Sequence, residues 1–225
     1  MNTSIATSAL SIVCALTVSA GVVAGQTGKE PPKVEDIRKA AESGDAVAMT
    51  RLGICYQEGT GVQGDLAEAE KWYRKAVALG NAEAMNLLGT CCSRRYDLRV
   101  AKEAHAKGIS FGDIKLKDLE DAKELMEAVG WYRKAAAKGS AAGMFSLAVC
   151  YDEGRGVTKN NAEAVKWYQK AVDAGSSDAM CNLGSCYLQG RGVEKNKAKA
   201  VELYKKARSL GNMGGKWALK NMGEQ

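Results

Sequence analysis

The sequence predicts an all-α solenoid, and three observations carry that expectation. An aromatic dipeptide recurs at a fixed spacing, each copy follows a segment with apolar residues at helical spacing, and glycines fall at regular points between them. Composition agrees. Apolar residues make up 46% of the 225, much of it Ala, with two Phe and two Pro beside 25 Gly, so the core is expected to form from small side chains along helix contacts.

The marker dipeptides are Trp72-Tyr73, Trp131-Tyr132 and Trp167-Tyr168, with Leu203-Tyr204 as a fourth copy. The spacing is 36 residues from Trp131 to Trp167 and again to Leu203, but 59 between Trp72 and Trp131, so that copy carries an insertion of 23. Ahead of each marker lies a matching segment: AMTRLGICYQEGTGV, AMNLLGTCC, GMFSLAVCYDEGRGV and AMCNLGSCYLQGRGV. In the first, Met49, Leu52, Gly53 and Tyr56 fall on one helical face, which is predicted to be buried. A Gly-x-Gly-Val turn follows in three copies and is missing from the second, which also has Cys92 in place of Tyr. The second helix of each pair starts at Asp65, Asn160 or Asn196; Glu68 and Glu163 complete the pattern of a capping box, and Gly80, Gly139, Gly175 and Gly211 end the helices. The Trp-Tyr pairs are expected in the core.

These motifs, LGxCYxxGxGV followed by WYxKAxxxG, resemble the Sel1-like repeat family, a relative of the TPR, over about residues 34–221. The resemblance implies a right-handed α-solenoid of about four Sel1-like helix pairs with helical caps. The corresponding divisions are a cap helix at 34–44, repeats at 45–80, 81–139, 140–175 and 176–211, and a cap helix at 212–223. It also implies that the first helices line a concave groove. Some members bridge neighbouring helices through a second cysteine near the end of the second helix; here that place holds Val77, Ala136 and Val172.

Ahead of the repeats, the uncharged run from Ala9 to Gly25 ends in small residues, with Val22 and Ala24 placed like a cleavage site. Residues 1–25 are read as an export signal and 26–33 as a linker, which puts the mature chain in the periplasm or outside the cell. The alternative is an uncleaved N-terminal membrane anchor, for which 17 residues rich in Ala, Gly and Ser are short.

Candidate chemistry is sparse. Cys55, Cys91, Cys150 and Cys186 share one slot beside the core tyrosine. Equivalent positions on stacked helices lie about 8–10 Å apart, beyond the roughly 7 Å limit for bridged Cα atoms, so buried free thiols are expected ahead of disulfides or metal chemistry. His105 is the single histidine, and neither a catalytic unit, a metal site nor a cofactor is predicted. The net charge of +6 is spread among mixed charges, which argues against nucleic acid.

Function is sought where the repeat departs from itself. The expected contacts lie on the first-helix face opposite the core: Val47, Thr50, Arg51 and Ile54; Glu83, Asn86, Leu87 and Thr90; Phe145 and Val149; Asp178 and Asn182. Core slots repeat almost letter for letter while these vary, and their mix of apolar and short polar groups suits an extended peptide or a partner helix. The insertion, about 94–117, holds a basic surplus with Arg94, Arg95, Arg99 and Lys102 as a secondary contact; Tyr96–Lys107 is predicted as a short separate helix, and Asp118 as the cap of a lengthened second helix. The resulting expectation is a monomeric, non-enzymatic scaffold for a peptide or partner protein. The alternatives are a weak hydrolase of β-lactam or peptidoglycan-like substrates and a binder of anionic surfaces through the insertion.

Overall fold

A computed structural model describes residues 33–108 and 123–224. The proposed signal and most of the linker, Asp118 and the second half of the insertion lie outside the described residues. Among those described, ten α-helices and no strands are present: α1 (Val34–Glu42), α2 (Ala46–Glu58), α3 (Leu66–Ala78), α4 (Ala82–Lys107), α5 (Lys123–Ala137), α6 (Ala141–Glu153), α7 (Asn161–Asp173), α8 (Ser177–Gln189), α9 (Lys197–Ser209) and α10 (Met213–Asn221). Helices α2/α3, α4/α5, α6/α7 and α8/α9 are the four pairs, flanked by α1 and α10, so the expected all-helical repeat stack is the fold observed.

Each pair closes through one contact. Leu52, Leu88, Leu147 and Leu183 are fully buried in the first helices, and at the next residue a glycine or alanine lies under the tyrosine of the second helix. A Cβ at Gly53 or Gly89 would collide with the ring of Tyr73 or Tyr132, and one at Gly184 would come within 2.8 Å of Tyr204. Absence of a side chain in the first helix therefore makes the room for a ring from the second. The tyrosines are 0–5% exposed. The tryptophans beside them depart from expectation: Trp72 is buried, whereas Trp131 and Trp167 are half-buried. Each indole carries the lysine one turn on over its face, Lys75, Lys134 and Lys170 at 3.8, 4.2 and 3.9 Å from the ring centre. Their outer faces are thus covered by a cation that stays in water.

The turn glycines do two separate jobs. Gly59, Gly154 and Gly190 end first helices in the left-handed conformation, each donating its N–H to the carbonyl of the cysteine four residues back. The second glycine of the turn lies against the preceding pair: a Cβ on Gly156 would meet the Leu125 backbone at 2.5 Å, and one on Gly192 would collide with the backbone of Asn161. In the second pair no such turn exists, and the chain has no reason to leave the helix. Helix α4 consequently runs on for 26 residues against 13 in its counterparts, so Tyr96–Lys107 is its continuation and not a separate helix.

Second-helix caps fall where the sequence places them. Asp65 accepts from Ala67 and Glu68, Asn160 from Glu163 and Asn196 from Lys199. The reciprocal half of the capping box does not form, because Glu68 and Glu163 turn outward to pair with Lys71 and Lys166.

Gly89→Ala is expected to force the Tyr132 ring out of its seat and cost about 1–3 kcal/mol, as overpacking of a filled core does. Urea unfolding monitored by circular dichroism checks this; Gly130→Ala, where a Cβ would meet open space, should leave the midpoint nearly unchanged.

Candidate partner-binding surface

The first helices begin on side-chain caps that the motif reading did not single out. Asp45, Asn81, Ser140, Ser176 and Asn212 each accept from backbone N–H groups of the first turn. Their signal was available: each is the residue directly after the glycine that ends a preceding helix. Helix α4 meets α6 and α8 meets α10, while no two second helices meet to the same extent, so the stack is tighter on its first-helix side.

On that side the predicted contact residues fall into three groups. Val47, Arg51 and Glu83 are exposed, Val47 to 49%. Ile54, Asn86, Leu87, Thr90, Phe145, Val149, Asp178 and Asn182 are half-buried. Thr50 is a correction. It is 1% exposed and donates its hydroxyl to the Ala46 carbonyl, so it belongs to the helix interior and offers nothing to a partner. Phe145 also departs from the expected solvent-facing position: its ring centre lies 6.0 Å from that of Tyr168, and it packs, with Val149, against the core of the third and fourth pairs.

The short polar groups tie repeats together. Ser146 donates to Asn86 at 2.9 Å, and the Asn182 amide donates to the Tyr168 hydroxyl at 3.2 Å. The Asn212 amide donates to Asp178 at 2.7 Å. Beneath them runs a second polar line, at the residue following the slot held by Tyr56, Cys92 and Tyr151. The Tyr73 hydroxyl donates to Gln57, Tyr132 shares a hydrogen bond with Ser93, and Tyr168 donates to Asp152. Asp152 also accepts from Arg191 of the next turn at 2.6 Å, and Asp97 accepts in the same way from Arg155 at 2.8 Å.

The insertion's cations are largely spoken for. Arg95 bridges Glu70 of α3 and Glu127 of α5, and Arg99 pairs with Glu124. They brace the lengthened α4 against its neighbours and do not form the free basic contact expected of them. Arg94 and Lys102 are not engaged in this way. Where the repeat would place a tyrosine, Cys92 is instead capped by the Arg95 guanidinium at 3.5 Å.

Among the described residues the six cysteines are free thiols. Burial pushes Cys91, Cys92, Cys150 and Cys181 up to about 12 and Cys186 up to about 11, and it raises Cys55 as well. No group of three His, Cys, Asp or Glu side chains gathers as a metal site among the described residues, and no described helix is long and apolar enough to cross a membrane.

Four copies of the Sel1 repeat match the chain, at residues 46–81, 82–140, 141–176 and 177–212. The chain belongs to the Sel1 repeat family, whose members generally mediate protein–protein interaction and are typically non-enzymatic scaffolds. Among solved structures it is similar to a Sel1 repeat protein from Oxalobacter formigenes, at 31% identity and TM-score 0.61, over 81% of this chain and 65% of that one. It is also similar to c5321, a protective antigen of uropathogenic Escherichia coli strains, at 32% identity and TM-score 0.60, over 82% of this chain and 35% of that one. A curated relative, DAP3-binding cell death enhancer 1 of Rattus norvegicus, is 49% identical over 51 residues, which is 23% of this chain. The match spans only 10% of that relative's length.

The thiol environment makes a signed pH prediction. An unfolded thiol titrates near about 8.5, whereas the buried ones are held neutral to about 11–12, so their contribution to stability is complete below about pH 8.5 and is lost as pH rises toward the folded values. Melting temperature is expected to fall through that window, and a variant with Ala at 91, 92, 150 and 186 should show a flatter decline. Native alkylation at pH 8 should reach Cys55 first and the buried four only after denaturation.

Proposed function

We propose that the chain is a non-enzymatic scaffold that holds a peptide or a partner protein along the concave face formed by its first helices. The observation that carries this reading is the contrast on one set of helices. Their inward slots repeat (leucine, glycine or alanine, cysteine), while their outward slots change from repeat to repeat and place apolar, cationic and anionic groups side by side at Val47, Arg51 and Glu83. Half-buried Ile54, Leu87, Phe145 and Val149 extend that surface as a shallow apolar floor, and Asn86, Thr90, Asp178 and Asn182 supply the short polar groups an extended backbone needs. Thiols pushed up by burial are poor nucleophiles, which favours the binding reading over a hydrolytic one. The rat relative's name describes it as binding DAP3, and a protein partner for this chain is in keeping with that.

The test uses a display library of random peptides selected on the immobilised protein. Peptides enriched on the parent should lose binding by tenfold or more to Val47→Glu/Arg51→Glu, with melting temperature nearly unchanged because both residues are exposed. Phe145→Ala should lower both binding and melting temperature, since the ring is shared between surface and core. Failure to enrich any peptide, or enriched peptides that bind the double variant as well as the parent, would sink the reading.

We further propose that the protein acts outside the cytoplasm after removal of its N-terminal segment. N-terminal sequencing of the protein purified from its source should find a chain starting within residues 21–26. Soluble cytoplasmic protein that keeps Met1 would refute export.

A further inference from the structure

Helix α4 continues for about four turns beyond the point where the other first helices stop, and those turns are held against α3, α5 and the turn after α6. Tyr96 and Val100 form a small separate core with Leu125 of α5. Arg95 is tied to Glu70 of α3 and Glu127 of α5, Arg99 to Glu124, and Asp97 to Arg155 in the turn after α6. The result is a rigid arm with a defined outer side. On that side Arg94, Leu98, Ala101, Lys102 and His105 fall at i, i+4, i+7, i+8 and i+11, a single stripe along the helix. Leu98 is 49% exposed, Ala101, Lys102 and His105 are exposed as well, and Arg94 at the start of the stripe is half-buried. Charge on this stripe is unbalanced. Lys71, Lys107 and Lys166 each pair with an acid three or four residues earlier, whereas Arg94 and Lys102 form no ion pair among the described residues.

We propose that this stripe is a docking surface for an acidic amphipathic helix of a partner protein. Arg94 and Lys102 are eight residues apart, about 12 Å along the axis. A helix lying alongside with two carboxylates at the same spacing meets both cations at once, and an apolar residue midway between them covers Leu98. Ala101 has the smallest side chain of the stripe and lets the two backbones approach. Apolar anchor and flanking charges on one helical face are the elements of helix-to-helix recognition. A nucleic-acid backbone would use the two cations but leave the leucine in water. A membrane surface demands more apolar area than one leucine provides. The bracing ion pairs matter because an arm that is already ordered loses little freedom when it binds. The inference is independent of the concave face, which lies on other residues.

The experiment uses the full chain and a fluorescein-labelled 20-residue helical peptide. This probe carries two Glu eight residues apart on one face with a Leu midway, and binding is read by anisotropy. Saturable binding is expected, weakened at least tenfold in Arg94→Glu/Lys102→Glu and severalfold in Leu98→Ala, with circular dichroism melts close to the parent's. A peptide with Lys in place of the two Glu should bind the double variant and not the parent. Val47→Glu/Arg51→Glu should bind the acidic peptide like the parent, which separates this surface from the concave one. Absence of saturable binding, equal binding by the double variant, or equal affinity for poly-glutamate without leucine would overturn the proposal. So would binding to phosphatidylglycerol vesicles that depends on Arg94 and Lys102 while the peptide does not bind.

Discussion

The structure depends on one steric arrangement, a tyrosine ring seated where its partner helix has almost no side chain. Tyr73 over Gly53, Tyr132 over Gly89 and Tyr204 over Gly184 fill the space between the helices of a pair, and Ala148 serves Tyr168 in the same slot. The contact does two things at once. It lets helices approach closely on an Ala-rich surface, and it sends a phenol hydroxyl through the core to the far side, where it needs a polar partner. Gln57, Ser93 and Asp152 answer that need from the slot after Tyr56, Cys92 and Tyr151 of the first helices. The polar line beneath the first helices is therefore a consequence of the packing and not an addition to it.

Stacking of one pair on the next rests on the turns. The second turn glycine brings backbone against the start of the previous second helix at Leu125 and Asn161, and the arginine just before it reaches back to an acid of the previous first helix. Glycine sets the distance and arginine sets the orientation. Side-chain exposure of Asp152 is 11% and that of Arg191 is 35%, so the pair is sheltered enough for its geometry to count, yet keeps access to water that lowers the cost of burying charge. Asp97, which pairs with Arg155, lies beyond the normal end of a first helix. The lengthened α4 thus supplies from its extra turns the acid that a missing turn would otherwise have shifted out of reach.

Most of this was legible in the sequence because a repeat states its constraints several times. Helix pairs, the buried Leu and Tyr slots, the turn glycines and the caps at Asp65, Asn160 and Asn196 follow from periodicity that random variation would not sustain. What was not legible lies where a residue's environment is set by a neighbour distant in sequence. Thr50 is buried although a helical wheel places it outward, and its hydroxyl is satisfied by the Ala46 carbonyl. Arg95 and Arg99 read as free basic residues, but their acids are 25 to 32 positions away on α3 and α5. The unbroken α4 could have been anticipated, since the same absence of Gly-x-Gly-Val that marked the second copy as unusual also removes the signal for a helix to end.

On the proposed reading, the half-burial of the first-helix face carries a functional consequence of its own. If a partner binds along the first helices as proposed, the surface on which those helices approach each other is also the surface it would touch. Ser146 with Asn86 and Asn212 with Asp178 are hydrogen bonds between consecutive units, and both lie on the face proposed to receive a partner. A ligand that competes for either bond loosens one junction, whereas a ligand that bridges two units tightens it, so binding energy and inter-repeat geometry are linked quantities. Because each unit touches chiefly its neighbours, such a change propagates through the adjoining Arg–Asp clamp and the tyrosine seat before it reaches the next pair. On the proposed reading, the residues that would choose a partner and the residues that join consecutive units are in large part the same residues. Divergence of this face between repeats is, on that reading, restrained: exposed Val47, Arg51 and Glu83 would be free to change with the partner alone, while half-buried Asn86, Phe145 and Asp178 would have to satisfy the partner and the stack together.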